Sequence, residues 1–286
     1  MNYKMFFLIF NVLYLNNNII ISSESYYICN CEYGRGLFSC MASVIGFLDF
    51  LENNHANGTV VFNEGVYLDK EYGINWWEYH FEPIVIGEMN SPNIIPVSSP
   101  SLAIYTATNM PPERFCELYH RYIKPKKHIL DKVNEFVDKN FKDKFVIGVH
   151  YRGTDKQLTE TNKITPQEVI NLVLYQLSQL DLKEKSNLTI FIATDEQKFL
   201  DLAIKNIPNV VYQENAKRIS GKEPLILGQQ KHSYQDSAYT VIDCLLLSKS
   251  NLLIRTNSNL SMTSMFINPT MQTVSLNHSF GGARLK

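Results

Sequence analysis

The sequence predicts an α/β protein with two Rossmann-like units, each built around a parallel β-sheet. Short apolar runs that suit buried strands alternate with segments of helical periodicity. A glycine-rich turn at residues 33–38 joins the first strand to the first helix. The alternation then repeats as β-α-β-α-β-α-β over residues 145–256, the order of a doubly wound sheet. Two such units in one chain place the expected binding site in the cleft between them.

The first unit begins with a strand at residues 26–30. The glycine-rich turn leads into a helix at 39–51, and a second strand follows at 59–62. Because parallel strands need a crossover connection, this order predicts the opening of a parallel sheet. The aromatic run at 76–81 (WWEYHF) is interpreted as core packing, with a sugar-stacking platform in the cleft as the alternative.

The middle of the chain changes character twice. Residues 83–112 are rich in Pro, Ser and Asn and predict an irregular connection. Helical periodicity then runs from 113 to 139 and is broken at Pro125. We place the domain boundary at this break. The predicted division is an N-terminal extension at 1–25, a first Rossmann-like domain at 26–125 and a second at 126–286.

The second unit contains the best-defined helix, at residues 165–180. Thr165 is a suitable N-cap, Pro166 suits the first helical position, and Glu168 completes a capping box. The other predicted elements are strands at 145–149, 188–193, 210–212 and 252–255, and helices at 196–206 and 234–248.

Composition excludes several classes of function. The chain has 286 residues, 45% of them apolar, with a net charge of −1, which argues against nucleic-acid binding. No His spacing predicts a metal site, and no GxGxxG follows a predicted strand, which excludes a typical dinucleotide-dependent oxidoreductase. The five cysteines form neither a zinc set nor a disulfide framework, so we expect free thiols.

The N-terminus supports two interpretations. An apolar stretch at residues 5–21 resembles a signal or anchor segment, but three Asn residues at 16–18 interrupt it. An ordinary N-terminal extension fits equally well. Membrane association through residues 5–21 therefore stays open, as do a cytoplasmic and a secretory location.

Three polar clusters follow predicted strands, where ligands bind in open α/β sheets. In residues 150–160, Arg152 and Lys156 suit a phosphate, Asp155 can fix the loop, and Glu160 can accept a proton from a hydroxyl. The alternative is a surface loop with ion pairs. Asp195 is either a ligand or a helix N-cap. Residues 255–261 form either a phosphate cradle or a capped loop.

Asp243 stands apart because it lies in the apolar run VIDCLLL at 241–247. A buried carboxylate needs hydrogen-bond donors. The paired N–H groups of a purine would provide them, and an internal Ser or backbone partner is the alternative.

Three motifs in this order resemble the inverting α-1,6-type fucosyltransferases. They are GVHYRGTDK at 148–156, IATDE at 192–196, and IDCLLLS at 242–248 running on to TNS at 256–258. The resemblance implies a two-domain GT-B fold, with an acceptor domain first and a donor domain second. It implies GDP-fucose as donor, a glycan acceptor, inversion at the sugar carbon, and neither metal nor cofactor.

The resemblance also implies roles for single residues. Arg152 would hold the β-phosphate with Lys156 adding positive charge, and Glu160 would be the catalytic base. His150 and Asp243 would contact the guanine, and Ser258 the phosphate. The remaining expected donor-binding residues are Asp155, Asp195, Thr256 and Asn259.

The sequence departs from the family pattern at two of these positions. Gly153 stands where a second arginine is usual, and Asn259 where many members carry Ser. The chain is also short for the family. A same-fold transferase with another nucleotide sugar and a non-catalytic nucleotide-binding relative are therefore the alternatives. The sequence names no acceptor, linkage or oligomeric state.

Overall fold

A computed structural model describes residues 25–31, 34–97, 99–153, 164–219 and 232–276. The described chain forms two β-sheets, one from each half of the sequence, with helices packed against them. The predicted α/β class with parallel sheets is confirmed. The domain boundary near residue 125 stays a prediction.

The first sheet has four strands in the order β3-β2-β1-β4. Strands β1, β2 and β4 are parallel, and β3 is antiparallel to β2. The predicted strand–turn–helix–strand opening is confirmed, although the helix begins two residues earlier than the periodicity indicated. The elements are β1 (Ser25–Cys29), α1 (Leu37–Asn54), β2 (Asn57–Val60), a 3-10 helix (Trp76–Tyr79), β3 (Val85–Ile86), β4 (Asn93–Val97) and α2 (Ser99–Thr108).

The prediction of an irregular connection at 83–112 was wrong. Strand β4 lies at the edge of the sheet and pairs with β1, with Pro96 opposite Ile28. An edge strand tolerates proline because one side of its backbone needs no partner strand. Helix α2 then packs closely on α1. Proline, serine and asparagine content was therefore a poor guide to a segment fixed by pairing with distant residues.

Two helices connect the sheets, α3 (Pro112–Tyr122) and α4 (Lys127–Asn140). The predicted break at Pro125 is confirmed, because α3 ends at Tyr122 and α4 begins at Lys127. Arg114 of α3 forms ion pairs with Asp49 and Glu52 of α1, at 2.8 and 2.6 Å. These contacts fix α3 on the first unit.

The second sheet has five parallel strands in the order β7-β6-β5-β8-β9. The predicted alternation is confirmed, and the structure adds a short helix, a further helix and a fifth strand. The predicted capping box of Thr165 and Glu168 is present. The elements are β5 (Phe145–Tyr151), α5 (Pro166–Gln179), α6 (Leu182–Ser186), β6 (Leu188–Thr194), α7 (Gln197–Asn206), β7 (Val210–Val211), α8 (Tyr234–Leu247), β8 (Leu252–Arg255), α9 (Asn259–Ile267) and β9 (Gln272–Ser275).

The free-thiol prediction was wrong for two of the five cysteines. Cys31 and Cys40 form a disulfide, whereas Cys29, Cys116 and Cys244 are free. Cys31 lies just after β1 and Cys40 lies in the first turn of α1, and their Cα atoms are 5.9 Å apart. Cysteine spacing alone gave no sign of this approach.

The aromatic run after β2 belongs to the core, as expected. Trp76 and Trp77 are almost fully buried and pack around Phe62. Among the described residues, no helix combines the length and apolar character that a membrane crossing requires. The possible signal or anchor stretch at 5–21 lies outside them.

Candidate active site in the cleft

A cavity of about 380 Å³ opens between the two halves of the chain. The first half contributes Tyr67 and the glycine-rich turn, from Gly34 to the start of α1. The second half contributes the ends of β5 and β6, one side of α8 and the start of α9. The cavity thus lies where both sheets present strand ends, the place that the sequence predicted for the site.

His150 and Arg152 lie at the end of β5 and line the cavity. His150 is buried, and its Nε2 atom lies 3.5 Å from the Ser258 hydroxyl. Arg152 is half-buried, and its backbone N–H donates to the Thr256 hydroxyl at 2.9 Å. The Thr256 N–H donates in turn to the His150 carbonyl at 3.0 Å. The end of β8 therefore fixes the backbone that presents the arginine.

Gly153 permits a close approach that no other residue allows. A Cβ atom there would lie 2.1 Å from Glu196 Oε2 and 2.5 Å from the Tyr151 ring. The Gly153 N–H points at Asp195 Oδ1, at 3.4 Å. A second arginine side chain at 153 is incompatible with this packing.

Asp195 lines the cavity, and the N-cap alternative for it was wrong. Helix α7 begins one residue later, with Glu196 at the N-cap position and no side-chain cap. The preference of Asp for the N-cap position did not determine where the helix starts. The Glu196 N–H donates to the Thr194 hydroxyl at 3.2 Å. Asp195 is left facing the cavity beside Arg152.

Asp243 faces the cavity from α8. Its carboxylate accepts a hydrogen bond from the Gln213 side chain, so it has an internal partner, although this is a glutamine amide and not the Ser or backbone group that the sequence suggested. Burial raises the pKa of Asp243 to about 7, while the Gln213 hydrogen bond and the charge of Arg218 act in the opposite direction. Near neutral pH the group therefore exists in both protonation states.

Ser258 and Asn259 line the cavity at the start of α9. Ser258 caps the helix by accepting from the Ser261 N–H at 3.2 Å. Thr256 does not line the cavity, because its hydroxyl is engaged with the end of β5. Arg255 is buried and donates to Ser261, Ser275 and Asn257 side chains, each at 3.0 Å, so it braces the loop. The helix cap of Ser258 and the hydrogen bonds of Arg255 together fix the position of Ser258.

Three expected site residues, Asp155, Lys156 and Glu160, lie outside the described residues. Their roles stay predictions. Within the described ranges, no group of three or more His, Cys, Asp or Glu side chains is arranged to hold a metal ion.

Sequence reasoning missed several residues of the cavity wall. Tyr67 and His232 lie in the wall with their rings stacked 4.9 Å apart. Burial raises the pKa of Tyr67, and the charge of Arg152 opposes it. Burial lowers the pKa of His232, and the same charge adds to that shift. The arginine therefore acts on both rings. No sequence motif contains Tyr67 or His232. Arg35 also lines the cavity, and its position in the glycine-rich turn was a signal that could have identified it.

Comparison with known proteins gives a family and a fold. A sequence model described as alpha-(1,6)-fucosyltransferase N- and catalytic domains matches residues 82–266. No curated protein sequence matches the chain.

Solved structures of fucosyltransferases share its architecture. NodZ alpha-1,6-fucosyltransferase co-crystallized with GDP superposes with a TM-score of 0.63 at 14% identity, covering 89% of this chain and 95% of that one. Fucosyltransferase NodZ from Bradyrhizobium gives 0.60 at 14%, covering 86% and 94%. POFUT1 in complex with GDP gives 0.56 at 9%, covering 89% and 98%. At these identities the likeness establishes the fold, which is GT-B.

Proposed function

The chain belongs to the alpha-(1,6)-fucosyltransferase family, and from that premise we propose that it transfers fucose from GDP-fucose to a glycan hydroxyl. The observation that carries this proposal is the placement of Arg152 and Asp243 on one cavity, one at the end of β5 and the other on α8. A cation for a diphosphate and an acceptor for purine N–H groups are the two features that a GDP site requires.

Each described residue has a part in this proposal. The guanidinium of Arg152 holds the β-phosphate and balances the negative charge that forms as the leaving group departs. The Ser258 hydroxyl and Asn259 contact phosphate at the start of α9. His150 and Asp243 contact the guanine. Asp195 fixes the turn after β5 by accepting from Gly153.

The transfer is an inverting displacement. The acceptor oxygen attacks the anomeric carbon, the bond from that carbon to the β-phosphate oxygen breaks, and its electron pair stays on the phosphate. Glu160 takes the proton from the acceptor hydroxyl. Arg152 and Lys156 supply positive charge to the leaving group, so the reaction proceeds without a metal.

Calorimetric titration in EDTA tests the donor site. We expect GDP and GDP-fucose to bind to the wild type, with UDP and GMP much weaker. Arg152→Ala should weaken GDP binding at least tenfold and lower turnover by a factor of roughly 100–1,000. Arg121→Ala, which removes an exposed arginine of α3, is the matched control.

The outcomes separate the alternatives. Equal binding of UDP would indicate another nucleotide sugar. GDP binding without transfer or donor hydrolysis would indicate a non-catalytic relative. Glu160→Gln should keep GDP affinity and lose transfer, and retention of full activity would contradict the role of Glu160.

A further inference from the structure

Tyr72 is an ordered aromatic side chain on the surface of the first unit. Its side chain is 56% exposed, in a segment whose other large aromatic residues are mostly buried. The ring lies flat on the ring of Tyr234, with centroids 4.2 Å apart and planes 11° from parallel. One face of the Tyr72 ring is therefore covered, and the other face is open.

The surroundings hold this ring in place. The Tyr72 N–H donates to the Asp69 carbonyl at 3.0 Å, and the next carbonyl, of Gly73, accepts from the Tyr79 hydroxyl at 2.9 Å. Beneath Tyr72, the Tyr234 hydroxyl lies 3.0 Å from His128 Nε2. A flat apolar surface is thus held in one orientation before any ligand binds. Binding to it therefore costs less conformational entropy.

The stack lies beside the cavity. Tyr72 and Tyr234 belong to the same two chain segments as Tyr67 and His232, whose stacked rings line the cavity wall. Tyr72 follows Tyr67 by five residues and Tyr234 follows His232 by two. The Tyr72–Tyr234 pair therefore follows the cavity-lining pair closely along both segments, and Tyr72 is exposed on the outer surface.

We propose that Tyr72 is an acceptor-binding site, on whose open face one sugar ring of an oligosaccharide stacks. The proposal rests on the proposed function. Pyranose rings have an apolar face of C–H groups, which suits a rigid aromatic surface with a polar edge. The reacting sugar must place its hydroxyl inside the cavity, so the ring on Tyr72 belongs to a neighbouring unit of the same acceptor. The site selects oligosaccharides over monosaccharides.

The test uses acceptors that an α-1,6 transferase can modify. Linear β-1,4-linked glucose and N-acetylglucosamine oligomers leave the C6 hydroxyl free on each ring, and we use them from monosaccharide to tetrasaccharide. The full chain carries Tyr72→Ala, Tyr72→Phe or Tyr175→Ala. Tyr175 is the matched control, because this tyrosine of α5 is 59% exposed. Binding of labelled oligomers with GDP present, acceptor KM, donor hydrolysis and thermal stability are measured for each.

We expect Tyr72→Ala to raise acceptor KM and Kd for the oligomers by about three- to tenfold, with no change for monosaccharides. Tyr72→Phe and Tyr175→Ala should match the wild type. GDP affinity and donor hydrolysis should not change in any variant. Tyr72→Ala should lower thermal stability slightly, because it removes the stack on Tyr234, and the other variants should match the wild type.

Two results would overturn the proposal. One is an unchanged oligomer KM and Kd in Tyr72→Ala, and the other is a wild type that hydrolyses donor but binds no oligomer of either series. A wild type that neither binds GDP nor hydrolyses GDP-fucose would instead contradict the proposed function.

Discussion

Asp243 is an acidic residue whose surroundings oppose its ionisation. Its pKa lies near 7 in the folded chain, against 3.8 for an ordinary aspartate. Between these values the folded state holds a proton that the unfolded state has released. The free energy of unfolding therefore falls as the pH rises from about 4 to 7, and the lost stability is not recovered above pH 7. In the proposed donor site, this loss of stability accompanies a carboxylate that is placed to accept hydrogen bonds from the guanine.

Replacing the Asp243 carboxyl should reveal its effect on the free energy of unfolding. We expect Asp243→Asn to raise the free energy of unfolding at pH 8, by at most about 4 kcal/mol, since one pKa unit corresponds to about 1.4 kcal/mol. The gain should shrink to nothing below about pH 3, where the aspartate is protonated in both states. Urea unfolding across this pH range, with GDP titration of the same samples, measures both effects. A variant less stable than the wild type at pH 8 would contradict this account.

At the scale of elements, helices α1 and α2 meet at Gly46. A Cβ atom there would lie 2.7 Å from the Thr106 hydroxyl and 2.8 Å from the Leu102 carbonyl oxygen. The Thr106 hydroxyl already donates to the Ala42 carbonyl at 2.8 Å, so it cannot move away freely. The glycine thus sets the distance between the helices.

We expect Gly46→Ala to lower the free energy of unfolding by roughly 1–3 kcal/mol, because the overpacked contact outweighs the gain in helix propensity. Thermal and urea unfolding give the measurement. Helix propensity alone predicts the opposite sign, an increase of about 1 kcal/mol. An increase of that size would show that the helices can separate without cost.

The elements that the sequence predicted well are those with local causes. Helix α5 carries its own cap in Thr165 and Glu168, and β5 and β6 are mostly apolar. Strand β4 was missed because its partner, β1, lies more than 60 residues earlier, and nothing within 93–97 indicates pairing.

The candidate site divides in the same way. His150 and Arg152 were predicted because they follow a recognisable strand. Tyr67 and His232 were missed because they reach the cavity only through tertiary packing. Tyr72 illustrates the limit most clearly. An aromatic platform was sought in the run at 76–81, and its two tryptophans are buried while Tyr72 is exposed.

At the scale of the whole molecule, the two halves meet through buried polar contacts as well as through the cavity. His80 of the first half lies 2.7 Å, through Nε2, from the Ser237 hydroxyl of α8. The His232 N–H donates to the Val66 carbonyl at 2.9 Å. Burial lowers the pKa of His80 to about 3, and the charges of His128, Lys126 and Lys132 act in the same direction. The contact between His80 and Ser237 therefore requires an uncharged imidazole.

The contribution of the His80 contact to the free energy of unfolding should decrease in acid. A histidine with a lowered pKa binds its proton first in the unfolded state, so its contribution is complete above pH 6.5 and declines as the pH falls towards 3. We expect the wild type to lose roughly 2 kcal/mol from this group between pH 7 and 5. His80→Gln should show a correspondingly shallower pH dependence of unfolding. His120→Gln, at an exposed position, is the control and should keep the wild-type slope.

One wall of the cavity is held by the Cys31–Cys40 disulfide, so its structure depends on whether these two cysteines are oxidised. Residues 34–39, which line that wall, lie inside the loop that the bridge closes. A chain made in a reducing cytosol, or assayed with a thiol reductant, has the same sequence but lacks this covalent brace. Two preparations can then differ in nucleotide affinity without differing in a single residue. Thiol state therefore belongs beside pH and temperature in any statement of this enzyme's activity.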